Sequence, residues 1–274
     1  MIRIVLLITI LLNFSSCSFG EVAYRFGDWL IKREILSYVK LYQGQQQKLE
    51  LELDEYMAWH KKVMMPKYAN DLENLKTKIE ATKFNTPESK VVLIEIFQLS
   101  RARYLESVMP LTERVSPILS TINDTQLQRS RELLAKKYQS IVDEKKKYTK
   151  EEAFLMWKEN IETWIGPLTA EQTSWLKERQ DDFYLEMSSK KRITERGHKQ
   201  KTYLDIFDEE NQSKRTERQL DFWQKFKKDF LKVNFREKTI ETLNEFLGTL
   251  SKAQRDRLIA RITYYQSIIK DIID

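Results

Sequence analysis

The chain has 274 residues, 41% of them hydrophobic, with 13 Phe, 12 Tyr and 6 Trp, which is ample for a packed interior, while its 32% charged residues exclude a membrane-embedded body. Only 6 Gly and 5 Pro are present, so tight turns and strand bends must be few and long helices follow. The formal charge of +6 is too mild to argue for nucleic acid, though it suits an anionic membrane surface or an acidic polymer.

The first element is a secretory signal. Arg3 gives a short positive start, and Ile4 to Leu12 is an apolar run of nine residues, far below the roughly 20 that a spanning helix needs. Phe14-Ser15-Ser16-Cys17 then has the form of a bacterial lipobox: a bulky apolar residue, two small ones, and the sole cysteine of the chain. Signal cleavage needs small side chains before the cut, and lipidation needs a thiol at the new N-terminus. Residues 1–16 are therefore expected to be a lipoprotein signal peptide and Cys17 the lipidated residue. An ordinary secretory signal would leave the cysteine incidental. Residue 18 is Ser, not Asp, which resembles Gram-negative lipoproteins sorted to the outer membrane. Loss of Arg3 lowers the charge to +5, and the lipidated body would hold no thiol and no disulfide.

From residue 22 onward apolar residues recur at three-and-four spacing, the amphipathic helix pattern. Leu49, Leu53, Tyr56, Met57, His60 and Met64 form one stripe. Ala153, Met156, Trp157, Ile161, Trp164 and Ile165 form a second, and Leu258, Ile262, Tyr265, Ile268, Ile269 and Ile272 a third. No alternating strand pattern appears. The expectation is an all-α multi-helix bundle or stack of helical hairpins, with roughly ten to twelve helices. It would occupy 17–274 as a single extended domain, with a possible division into 17–120 and 121–274.

The helix starts share a chemistry. Leu168-Thr169-Ala-Glu-Gln172 and Leu250-Ser251-Lys-Ala-Gln254 follow one pattern, and Ile122-Asn123-Asp-Thr-Gln126 is a looser copy. Thr169, Ser251 and Asn123 can cap the N–H three residues on, and Gln172, Gln254 and Gln126 can reach back to the cap N–H. Thr86-Pro87-Glu-Ser89 is a related start with Pro87 at the first helical position. Starts near 86, 123, 169 and 251, with a polar break at Asp208-Glu-Glu-Asn211, suggest a hairpin repeat of about 40 residues; a non-repetitive bundle sharing a common cap is the alternative. Two basic stretches, Lys145 to Lys147 and Lys190 to Lys201, have the form of solvated faces or helix ends.

Two further segments carry a resemblance. Ala23-Tyr-Arg-Phe-Gly-Asp28-Trp29-Leu30 comes soon after Cys17, and Trp59-His60-Lys-Lys-Val-Met-Met-Pro66-Lys-Tyr68-Ala69 follows. With the lipobox and with Trp164-Ile-Gly166-Pro-Leu168-Thr169-Ala-Glu-Gln172, the chain resembles a family of bacterial lipoproteins of unknown function. Lys61 and Met65 depart from that family's usual Arg and Leu. The resemblance covers residues 17 to about 180 and implies location and fold but no catalytic residue. The Leu-Thr-x-x-Gln element also resembles that of the small Spy and CpxP-type periplasmic proteins, which are chaperones.

Chemistry is sparse. The only histidines are His60 and His198, and no His-Glu-x-x-His, Gly-x-Ser-x-Gly or Gly-rich phosphate loop occurs. His60, on an apolar stripe beside Trp59, is expected to be a satisfied core residue, with a pH-responsive or ligand-contacting imidazole as the alternative. Asp28 can pair with Arg25 or Lys32 or cap a turn. Neither cofactor nor metal is implied. The expected function is an outer-membrane-anchored periplasmic binding or envelope-maintenance module, not an enzyme. Its partners would be the membrane, through the N-terminal lipid, and an envelope protein. An apolar groove lined or supported by Trp29, Trp59 and Trp164 would do its work. A Spy-like chaperone is the alternative, and a hydrolase a more distant one.

Overall fold

The computed structural model describes residues 24–146, 149–181, 190–232 and 237–274. Residues 1–23, with the lipobox and Cys17, lie outside them. Among the described residues helix is the only regular structure. In chain order it comprises α1 (Gly27–Leu36), α2 (Gln43–Trp59), α3 (Met65–Ala81), α4 (Pro87–Leu119), α5 (Asp124–Lys146) and α6 (Lys150–Ile165). There follow α7 (Ala170–Glu178), α8 (Lys190–Asp205), α9 (Gln212–Lys232), α10 (Glu237–Gly248) and α11 (Lys252–Ile273). A π turn, His60–Met64, fuses α2 and α3 into one rod, and a 3₁₀ turn, Ile206–Asp208, closes α8. The chain is thus an all-α, multi-helix protein. No described helix is long and apolar enough to cross a membrane.

Local chemistry sets the helix boundaries. Asn123, Thr169 and Ser251 each accept the N–H three residues on, and Gln126, Gln172 and Gln254 each accept the cap N–H in return. Thr86 and Ser89 make the same exchange ahead of α4, and Thr149 and Glu152 ahead of α6. Asn211 caps α9 through the Lys214 N–H, where the sequence shows its polar break. Gly166 ends α6 at φ +81°, ψ −171°, a conformation open essentially to glycine alone. The basic stretch from Lys190 lies within α8 and not at a helix C-terminus, whereas Lys146 is the last residue of α5.

The caps reveal a repeat much longer than the one the spacing of helix starts suggests. Gln45 Nε2 donates to Thr121 O and Oγ1 (3.2 and 2.8 Å), and Gln172 Nε2 donates to Thr249 O and Oγ1 (3.2 and 3.3 Å). Gln126 Nε2 donates to Lys40 O and Gln45 Oε1, and Gln254 Nε2 donates to Pro167 O and Gln172 Oε1. Every member of the second set follows its counterpart by 127 or 128 residues. α2 corresponds to α7, α5 to α11, and α4 to α9 plus α10. The starts near 86, 123, 169 and 251 share a capping reaction, but only 123 and 251 are equivalent places. Shared caps do not by themselves mark a 40-residue hairpin repeat, because cap chemistry recurs at any helix start.

The halves interlock. α4 packs against α9 and α10, α3 lies along α11, and α8 touches α5. One core cluster joins Leu49 and Leu53 of α2, Val115 and Ile118 of α4, and Leu127 of α5 to Phe207, with Ile31 and Ile35 of α1 and Tyr203 of α8 against it. The other joins Ile79, Phe84 and Leu93 to Ile240 and Ile262. Each cluster draws on residues of both halves.

Candidate functional site

Trp59, His60 and Tyr68 cluster where α2 meets α3. Pro66 has no N–H for the carbonyl four residues back, and its ring crowds that carbonyl. The chain widens into a π turn, in which Met65 N–H donates to His60 O. Four aromatic rings then surround the imidazole. Ring centroids lie 5.7 Å away for Tyr56 and Tyr68, 5.9 Å for Tyr24 and 6.2 Å for Trp59.

Both imidazole nitrogens are engaged. Nδ1 lies 3.2 Å from the Tyr24 hydroxyl, and Nε2 lies 3.1 Å from Ser107 Oγ on α4. Tyr56 OH donates to Ser107 O at 3.2 Å and lies 3.2 Å from Ser107 Oγ. Pro110 stands three residues on in α4, where its missing N–H leaves the carbonyl of Glu106, next to Ser107, without its helical donor. Burial pushes His60 down to about 4, so the imidazole is neutral near pH 7 and has one donor and one acceptor. Burial likewise pushes Tyr56 up to about 12 and raises Tyr24 and Tyr68, so the phenols stay protonated. A consistent set of donors follows: Ser107 O–H to Nε2, and Nδ1–H to the Tyr24 oxygen. Outside this shell Arg103 bridges Asp71 and Glu106 at 2.6 Å each, and Lys67 also pairs with Glu106.

Chemically this is a lock of neutral groups around a half-buried imidazole. Ser107 is buried and its hydroxyl faces His60 and Tyr56, which leaves no open approach to it as a nucleophile. Among the described residues no group of three or more His, Cys, Asp or Glu could hold a metal ion. The lock ties Tyr24, the first described residue, to His60 and through it to Ser107 of α4.

The remaining candidates lie elsewhere. Asp28 stands in the first turn of α1, where a carboxylate favours the helix dipole. Trp29 is 51% exposed, with the Arg33 guanidinium 5.3 Å from its ring centre. Pro66 is exposed on α3. Trp164 packs on Tyr265 at 5.5 Å and lines an open groove with Arg257 and Tyr264. The single groove expected from Trp29, Trp59 and Trp164 does not form, because they belong to an exposed helix face, the His60 lock and the second half respectively. His198 is exposed on α8. Cys17 lies outside the described residues. Sequence reasoning missed Ser107. A serine three residues before a mid-helix proline was its only signal.

Residues 37–225 match the model of DUF6279, a family of unknown function, and the chain belongs to that family. The match takes in Tyr56, His60, Tyr68 and Ser107, stops short of Tyr24 and α1, and crosses from the first half into α9 of the second. Neither a curated protein nor a solved structure matches the chain.

Proposed function

We propose that this DUF6279 member is a lipid-anchored helical module of the cell envelope. Cys17 holds it to the outer membrane, it faces the periplasm, and it serves binding or envelope maintenance through an envelope protein partner. The observation that carries the reading is the sole cysteine at a lipobox, seven positions before Tyr24, which the His60 lock pins to the body. A tether ending in a fixed residue is what an anchored scaffold requires. The neutral, half-buried His60, held at both ring nitrogens, supports a structural role for the most reactive-looking residue of the chain, and so favours a module over an enzyme. The Leu-Thr-x-x-Gln element that suggested a chaperone is occupied in capping and in the Gln172–Gln254 pair.

The test is fractionation of Cys17→Ser in cells. Loss of lipid attachment and release from membranes are expected. A Cys17→Ser protein that stays in the membrane fraction through an uncleaved N-terminal helix would sink the reading. Capture of partners from native envelope by the lipidated protein would then name the protein it serves.

A further inference from the structure

α1 has two faces. Ile31, Ile35 and Leu36 pack against the first core cluster, and Lys32 is tied to Glu50 of α2. On the other side Phe26 is 57% and Trp29 51% exposed. The positions 26, 29 and 33 follow helical spacing, so Arg33 shares their stripe, and its guanidinium stands 5.3 Å from the Trp29 ring centre. Asp28, the acid on this turn, is half-buried. Two large exposed aromatics beside an arginine are costly to leave in water. They match the composition of the water–lipid boundary, where tryptophan places an apolar ring and a polar N–H at once.

The chain itself says what covers this face. Tyr24 is seven positions from Cys17, so even a fully extended link spans at most about 25 Å. A body so tethered keeps α1 within reach of the lipid headgroups. Charge agrees. Residues 190–232 hold thirteen Lys or Arg against eight Asp or Glu, a surplus of five that equals the whole surplus of the chain after residue 16. Tyr203 and Leu204 of α8, within that segment, pack on the same core cluster as α1. The C-terminal end of α8 therefore reaches the core cluster that α1 covers, and the chain as a whole carries a positive surplus. Anionic lipid is the complementary surface.

Resting on the anchored reading above, we infer that α1 is a membrane-docking helix, with Phe26 and Trp29 seated in the lipid interface and Arg33 among the headgroups. The lipid on Cys17 and this face act as two weak attachments on one short link, and together they hold the body in a fixed orientation.

The experiment uses the full lipidated protein in vesicles of phosphatidylethanolamine and phosphatidylglycerol, with and without bromine on the acyl chains. The emission of Trp29 is taken as the difference between the native protein and Trp29→Phe. It is expected to fall about twofold in brominated vesicles, as for an indole at the interface. Phe26→Ser with Arg33→Glu should remove most of that quenching without changing helix content, since both positions are exposed. A protein that floats with the vesicles while Trp29 emission ignores the bromine would overturn the proposal. Self-association abolished by Phe26→Ser and Trp29→Ser, again without quenching, would overturn it too and assign the face to a second copy. Mass spectrometry showing an unlipidated Cys17 would instead overturn the anchored reading itself.

Discussion

Gln172 and Gln254 exchange a reciprocal pair of amide hydrogen bonds. Gln172 Nε2 donates to Gln254 Oε1 at 3.0 Å, and Gln254 Nε2 donates to Gln172 Oε1 at 2.8 Å. Each oxygen also accepts its own cap N–H, from Thr169 or Ser251, and each NH₂ also donates to a loop carbonyl, Thr249 or Pro167. All four hydrogen-bonding places of each amide are filled. The pair ties the start of α7 to the start of α11 across 82 residues, and only an amide can both donate and accept in this way.

Gln254→Glu should therefore be worse than its size suggests. It removes both donors and puts a carboxylate in a buried place. A loss of about 2–3 kcal/mol is expected from the broken bonds and the polar groups left unpaired. Gln172→Leu should cost about as much. The double variant Gln172→Leu, Gln254→Leu should cost at least about 1 kcal/mol less than the sum, since neither residue then leaves the other unpaired. Denaturant midpoints decide the matter, and strict additivity would show that the pair carries no coupling.

The equivalent pair in the first half is Gln45 and Gln126. Gln126 is buried, but Gln45 is only half-buried and its bonds to Thr121 are exposed. Water can replace part of what is lost, so Gln45→Ala should cost roughly 1 kcal/mol or less. Equal losses for Gln45→Ala and Gln172→Ala in the same urea titration would contradict the solvent argument.

These pairs mark how far the sequence can be followed. Helices, caps and the π-turn proline are local, and Thr169, Ser251, Asn123 and Pro66 announce them within four residues. The partner of a capping glutamine lies about eighty residues away, and no spacing rule points to it. The long repeat stays hidden because the halves share few identities, among them Leu41 and Leu168, Gln45 and Gln172, and Leu49 and Leu176. Buried helix faces accept many apolar substitutes of similar volume, whereas a four-bond amide accepts none. At the candidate site Trp59, His60 and Tyr68 were legible as a motif, but Tyr24 and Ser107 join it only through tertiary packing.

Gly166 offers a test of backbone strain. Its φ of +81° with ψ −171° is open essentially to glycine alone, and an added Cβ would lie 2.0 Å from Arg257 Nη1. The arginine tip can swing away, so the strain and not the clash sets the penalty. Gly166→Ala should cost about 1–3 kcal/mol, and adding Arg257→Ala should restore little of it. Full rescue by Arg257→Ala in thermal melts would show that the clash dominates.

His60 supplies the pH dependence. Its folded pKa is lowered by burial to about 4, against 6.5 for the free side chain. Between those values the unfolded chain binds a proton that the folded chain refuses, so stability rises with pH across the window. The His60 contribution is complete above pH 6.5 and is lost as pH falls toward 4, to the extent of about 3 kcal/mol. Carboxylates titrate in part of this range, so the quantity to measure is the difference between the native protein and His60→Gln. The variant cannot take up the proton and should show a shallower loss between pH 6.5 and 4, from a lower stability at pH 7, because Gln cannot bridge Tyr24 and Ser107 as the ring does. Parallel stability curves would remove the buried imidazole as the cause. The same variant separates structure from function in the cell. A structural lock predicts that His60→Gln complements a deletion strain no worse than a matched core variant such as Leu53→Ala. A stable His60→Gln protein that fails to complement would make the Trp59-His60 turn a binding site and not a lock.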